Sequence, residues 1–293
     1  MEQLYRRVGG INVKLPDKDI DKRIKEDMKP KSIISSMSNP QVKNLVLLQK
    51  KAKEREEQGI FVVEGFKMFE EAREEGILQK AYISESFYQE QLLDKPQFFE
   101  SLNMEIITDS VFQEISQTKT PQGIMGTVKQ ARYSLDSMLS APEVCLLVLE
   151  DIRDPGNLGT MIRTAEGAGI TGVIFNSSSV DIYNPKVIRS TMGSIYRVPF
   201  YQSTDFYQTL ETIRQQGIVI FAAHLMGMDY TSEDNFRRNC AILIGNEANG
   251  LSRRASELAD KLIRIPMAGK VESLNAAVAA SILMYEASRQ RSK

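Results

Sequence analysis

Two runs toward the C-terminal end of the chain carry the residue types best suited to chemistry. Residues 241–251 read AILIGNEANGL and residues 265–279 read IPMAGKVESLNAAVA. Each is an apolar strand that stops abruptly in a loop of glycine, amide, hydroxyl and acid. Ligands of open α/β sheets lie off the carboxyl ends of strands, so two such ends close together in sequence make a pocket. Glu247 is pressed between a strand end and a turn at Gly250, where a plain turn needs no acid, and is read as a site residue. Ser273 is read as the N-cap of the helix that follows. A third segment, DPGNLGTMIRTA at 154–165, sets Asn157 at a helix start after the turn Asp154–Pro155–Gly156. Arg163 follows Gly159 by four residues on the same helical face, and a glycine there leaves open space beside the guanidinium that suits a substrate. A structural alternative stands beside each: Asn157 as a simple cap, and Arg163 paired with Glu166 or Glu150.

Other chemistries find little support. The chain has a single histidine, His224, which excludes sites needing two and speaks against zinc. It follows an expected strand at 218–223, and a structural histidine is preferred to a pocket-lining one. Cys145 and Cys240 both sit in apolar runs and are expected to be buried small hydrophobes. Residues 167–172 (GAGITG) satisfy the dinucleotide pattern GxGxxG, yet a helix precedes them and a strand follows. The fingerprint requires the reverse order, so these glycines are read as ending a helix. Net charge is −1, so contact with a polyanion must come from local basic patches. With 42% hydrophobic and 26% charged residues, no membrane-length apolar stretch and no secretory leader, a cytoplasmic protein is expected.

The elements that must position these residues fall into three regions. Residues 1–31 are polar and weakly periodic, and are read as a flexible extension with at most one short helix. From 32 to 138 the pattern alternates: helix 40–57, strand 60–63, helix 66–75, strand 81–83, helix 87–93, strand 105–108, helix 110–116, strand 124–129, then a linker at 131–142. This describes a small layered α/β domain. From 139 to 293, near-continuous apolar strands at 144–149, 172–175, 196–199, 218–222, 240–244 and 262–265 indicate a mostly parallel sheet buried on both faces. Helices are expected at 158–167, 185–192, 206–216, 253–260 and 274–289. The last is rich in alanine, and Ala276, Ala277, Ala279 and Ala280 let another backbone approach closely.

The three polar segments, in this order, resemble the motifs of the SpoU/TrmH branch of the SPOUT RNA methyltransferases. Asn184–Ser194 (NPKVIRSTMGS) is similar to the same pattern. Ser38–Asn39–Pro40, Gly59–Gly65 (GIFVVEG) and Thr120–Ile124 (TPQGI) are similar to the amino-terminal substrate-binding domain common in that branch, which has the fold of a small RNA-binding ribosomal protein. The resemblance is weak in the first domain and strong in the second. It implies an α/β SPOUT domain with a deep trefoil knot and a dimer interface at the last helix, hence a homodimer. It implies S-adenosyl-L-methionine-dependent 2′-O-methylation of a ribose in RNA, large-subunit ribosomal RNA before transfer RNA, with no metal. An inactive RNA-binding or ribosome-associated module is the remaining alternative. Residue by residue, Arg163 matches the catalytic arginine, with Asn157, Glu247, Ser273 and Asn275 around it. Gly245, Ile265 and Leu274 match cofactor-binding positions, and Ile244 and Met267 are expected to wall the adenine. Mechanisms in this family often cast that arginine as the base; a guanidinium is normally always protonated, so Arg163 is physically easier as an electrostatic clamp, and both readings stay open. Lys43, Lys50, Lys51, Lys53 and Arg55 form a basic run on one expected helix that suits phosphates, and Lys186 and Arg189 farther on are read equally as phosphate contacts or as ordinary solvated charges. A solvated helix face balanced by Glu54, Glu56 and Glu57 is an equal reading for any single one of the first group.

Overall fold

The computed structural model describes residues 32–232 and 235–292, together with β1 (Tyr5–Val8) and β2 (Ile11–Lys14), which pair antiparallel. The expectation for residues 1–31 meets this strand pair and otherwise lies outside the described residues.

A mixed five-stranded sheet comes first. It comprises β3 (Ile33–Ile34), β4 (Ile60–Glu64), β5 (Leu78–Ser84), β6 (Met104–Ile107) and β7 (Ile124–Lys129), in the order β3-β6-β5-β7-β4. Its helices are α1 (Pro40–Lys50), α2 (Ala52–Gln58), α3 (Phe66–Glu74), α4 (Glu85–Asp94) and α5 (Asp109–Ile115). The single helix expected at 40–57 is broken: Lys51 is extended, with φ −122° and ψ 117°, and separates α1 from α2. The stretch read as a linker holds a short helix, α6 (Leu135–Leu139), whose buried Met138 fills the space left by Gly172.

The second sheet is parallel throughout. Its strands are β8 (Cys145–Leu149), β9 (Gly172–Asn176), β10 (Phe200–Ser203), β11 (Val219–Asp229), β12 (Cys240–Ile244) and β13 (Lys261–Arg264), in the order β10-β9-β8-β12-β11-β13. Helices α7 (Pro155–Ala168), α8 (Pro185–Thr191), α9 (Phe206–Gln215), α10 (Arg253–Leu258) and α11 (Ala276–Arg291) connect and cover it. The strand expected at 196–199 begins later, at Phe200. Met192 and Gly193 both adopt left-handed backbone after α8, and a 3₁₀ turn at Ser194–Tyr196 delays the strand. From β8 the chain builds outward to β10, then crosses over and threads β12 between β8 and β11. Ligands of parallel sheets bind where the strand order reverses in this way. The reversal sets the loop after β8 beside the loop after β12.

Cys145 and Cys240 are paired in register on β8 and β12, buried and reduced, with their Sγ atoms 3.7 Å apart. Ala277 and Ala280 are buried within the chain, where α11 packs on α7. The close approach that alanine permits is therefore intramolecular, and the exposed face of α11 presents Val278 and Tyr285. Among the described residues no helix is long and apolar enough to cross a membrane.

Candidate active site

Asp154, not Asn157, caps α7: its side chain accepts the Asn157 N–H at 2.8 Å, and Pro155 occupies the first helical position. Proline belongs there, since that N–H would have no helical partner. Asn157 is thereby the third residue of the helix, and its side chain is released from capping. Its Nδ2 donates to Glu247 Oε1 at 2.9 Å, and its Oδ1 accepts from Asn275 Nδ2 at 3.0 Å. Asn275, not Ser273, caps α11, its Oδ1 accepting the N–H groups of Ala277 at 2.9 Å and Val278 at 3.3 Å. Glu247 also accepts the backbone N–H groups of Asp154 at 3.1 Å and Arg153 at 3.2 Å. One hydrogen-bonded cluster thus ties together the loop after β8, the loop after β12 and the start of the last helix.

Burial on its own would raise the Glu247 carboxyl. The Asn157 amide and the backbone N–H groups of Glu247, Asp154 and Arg153 outweigh it and hold the group below the usual carboxylate range. Glu247 is an anion at neutral pH. Its loop is tightly folded: Asn246 bridges to Gly250 and donates to the Asp151 carbonyl at 2.8 Å. At Gly245 a Cβ would strike the backbone of Gly250 and Leu251, so only glycine fits beneath this turn.

Beside the cluster opens a pocket of about 330 Å³, and Ile244, Gly245, Ile265, Met267 and Leu274 all line it, together with Ser273 and Glu247. His224, expected to be structural, also lines it, with its Nδ1 accepting the Met226 N–H at 3.1 Å. A larger cavity, about 810 Å³, lies at the junction of the two sheets around Tyr133, Tyr183 and Tyr196 and contains none of these residues. Among the described residues no cluster of histidine, cysteine or acid is placed to hold a metal ion.

Arg163 stands apart from the cluster, about 9 Å along α7 from Asn157 at 1.5 Å per residue. It is exposed, and its guanidinium makes no hydrogen bond or ion pair among the described residues. Neither suggested partner is available, because Glu166 binds Arg197 and Glu150 binds Ser252. Gly159 does not clear space for Arg163. It is buried, and a Cβ there would meet Ser190 and lie 2.7 Å from the Val187 carbonyl, so its work is to let α7 and α8 pack closely.

The basic residues divide. Lys43, Lys50 and Lys186 are exposed, Lys53 is exposed and 3.6 Å from Glu57, and Arg189 is half-buried near Gln49 and Glu64. Arg55 cannot meet a phosphate. It is 4% exposed, paired with Asp181 and hydrogen-bonded to the carbonyls of Leu48 and Gln49. Asp154 and Asn246 are the site residues that sequence reasoning misses. The Asp-Pro pair, a capping residue followed by proline at the first helical position, is the signal for Asp154.

Similarity to known proteins agrees with this geometry. Residues 145–285 match the model of the SpoU rRNA Methylase family, and residues 39–126 match an MRM3-like substrate binding domain. An uncharacterized tRNA/rRNA methyltransferase of Synechocystis is 33% identical over 261 residues, 88% of this chain and 94% of that protein. The 23S rRNA (guanosine(2553)-2′-O)-methyltransferase RlmP of Bacillus subtilis is 29% identical over 253 residues, 86% of this chain and 97% of its own. The crystal structure of an AdoMet-bound rRNA methyltransferase from Sinorhizobium meliloti superposes with a TM-score of 0.74 at 30% identity, covering 88% of this chain and 97% of that one. With its switch-point cluster, its pocket and near full-length likeness to these proteins, the chain belongs to the SpoU/TrmH family of RNA methyltransferases.

Proposed function

We propose that this protein methylates a ribose 2′-hydroxyl of large-subunit ribosomal RNA with S-adenosyl-L-methionine, as a cytoplasmic homodimer. The observation that carries the reading is the Glu247–Asn157–Asn275 cluster at the mouth of a pocket walled by Ile244, Ile265, Met267 and Leu274. The pocket suits this cofactor. Its apolar walls fit an adenine, its acids Glu247 and Glu272 face a ligand that carries positive charge, and Arg264 answers a carboxylate. When bound, the cofactor supplies a methyl group on a sulfonium centre.

A ribose hydroxyl is a poor nucleophile and sheds its proton as it attacks. The protein's task is to align the oxygen and stabilise its developing charge. Arg163, which no described side chain pairs with, is the clamp for that oxygen. Glu247 orients Asn157 and, through it, Asn275; Ser273 faces the same pocket. Lys43, Lys50, Lys53, Lys186 and Arg189 hold phosphates. Residues 32–138 act as the RNA-binding domain and 139–293 as the methyltransferase domain, with the last helix threading a trefoil knot. The exposed Val278 and Tyr285 on α11 supply the apolar face of the dimer.

The test joins calorimetry with S-adenosyl-L-methionine and its demethylated product to methyl transfer onto 23S rRNA and tRNA from a deletion strain. Micromolar cofactor binding and one new 2′-O-methyl site in 23S rRNA are expected. Failure to bind either cofactor form refutes the enzyme, and transfer to tRNA alone refutes the substrate.

A further inference from the structure

The N-terminal sheet is joined to the second unit by ties that converge on one place. Arg55 donates to Asp181 across 126 residues of sequence, Nε reaching Oδ2 at 3.1 Å. Tyr196 donates through its hydroxyl to the Met68 carbonyl at 3.0 Å. Arg197 bridges Glu71 on α3, at 2.8 Å, and Glu166 on α7. Gly193 lies directly under the Glu71 carboxylate, where a Cβ would clash, and its φ of +97° suits glycine. Phe61 lies 4.6 Å from the Tyr183 ring, and Phe61, Val63, Met68, Ala72 and Val128 join the apolar core of the second unit.

Asp181 precedes α8, Tyr196 and Arg197 follow it, and Glu166 is on α7. The ties therefore end at the segments flanking α8 and, through the Arg197–Glu166 pair, reach α7; these two helices carry Asn157, Arg163, Lys186 and Arg189 and pack together at Gly159. The two kinds of contact do different work. Apolar burial is strong but non-directional. A buried ion pair adds little net stability, because desolvation offsets the attraction, yet it tolerates only one geometry. Arg55 meets Asp181 and two carbonyls at once only in a single docking register.

We infer that Arg55 and Asp181, with Arg197 as a second tie, are positioning residues for methyl transfer. They fix the RNA-binding unit in one orientation on the arginine helix, so that RNA held by the first unit presents its ribose to the second. The inference rests on the function proposed above. Tethering alone raises local concentration, whereas fixed docking also sets orientation, and orientation governs turnover.

The experiment uses full-length Arg55→Met, Asp181→Asn and the double variant, with 23S rRNA as substrate. In Asp181→Asn the new amide oxygen can still accept the Tyr183 N–H that Asp181 Oδ1 holds at 3.0 Å. Expected are cofactor Kd within about twofold, RNA Kd within about threefold and kcat lower by about tenfold or more. The double variant should be no worse than the weaker single, because both break one link. If Arg55→Met does not fold, Arg197→Met reads the same split at the second tie. Wild-type kcat in the variants overturns the inference, and so does a cofactor Kd that rises in step with the loss of kcat. No transfer by the wild-type protein refutes the proposed function instead, and this inference with it.

Discussion

The two sheets use polar side chains in opposite ways. In the mixed N-terminal sheet the carboxylates are scattered around the rim. Glu64 holds the Ser116–Thr118 loop, Glu105 is tied to Lys80 and Gln41, and Asp109 accepts from Ser86. Each fastens its own element to near neighbours and ends there. In the parallel C-terminal sheet Glu247, Asn157 and Asn275 converge from three distant segments on one edge. Topology explains the contrast. Strands that all run one way deliver every following loop to the same edge, and a reversal of strand order brings two of those loops together. Antiparallel neighbours send their loops to both ends and cannot concentrate groups so easily.

If the second unit owes its chemistry to this convergence, the largest disruption is to its packing. Ala280 is fully buried against α7, so Ala280→Arg should cost about 4 kcal/mol or more and unfold the C-terminal sheet. Thermal denaturation checks this, and an unchanged midpoint would contradict the packing of α11. Next in size, Arg163→Ala should lower methyl transfer by about 10²–10³-fold while leaving cofactor affinity within a few-fold. Arg163→Lys should also be poor, because a point charge cannot replace a planar fork. Single-turnover kinetics beside calorimetry separates the two effects.

Glu247→Gln should cost about tenfold, because a single amide oxygen cannot accept from Asn157, Asp154 and Arg153 as two carboxylate oxygens do. The wild-type pH profile sharpens this. A carboxyl held below its ordinary value contributes fully above that value and is lost only as pH falls through the lowered one. Activity should therefore show no acid limb from Glu247 between pH 5 and 8, and a limb that vanishes in Glu247→Gln would place its pKa higher than the structure does. The smallest effect is expected in the first unit. Lys43→Ala and Lys50→Ala should each weaken RNA binding about two- to threefold and flatten its salt dependence by roughly one unit of slope, with cofactor affinity untouched. A loss of cofactor affinity there would erase the division of labour.

Sequence makes the parallel strands and the polar strand ends readable because those signals are local. An unbroken apolar run such as 240–244 has few alternatives, and β12 spans those same residues. Local pattern misplaces the caps by two or three residues because Asp154 competes with Asn157 and Ser273 with Asn275, and only tertiary partners decide which amide is free. Arg55 misleads for a related reason. Among Glu54, Glu56 and Glu57 it reads as a solvated charge, and its true partner lies 126 residues away. Gly159 reads as space for a ligand, yet its neighbour is Ser190 of another helix. Local pattern shows which residues are chemically apt, but not whom they face.

The amide chain at the site has a direction. A carboxylate can only accept, so Asn157 must turn its nitrogen toward Glu247 and its oxygen toward Asn275, and Asn275 must turn its oxygen toward the first N–H groups of α11. One negative charge thereby sets the polarity of every link behind it. Were Glu247 to bind a proton and donate instead, both amides would have to rotate, and the nitrogen of Asn275 would confront two helix donors with nothing to offer them. The last helix would lose its cap, at a cost of about 1 kcal/mol. The charge on Glu247 and the cap of the last helix thus demand the same orientation of both amides.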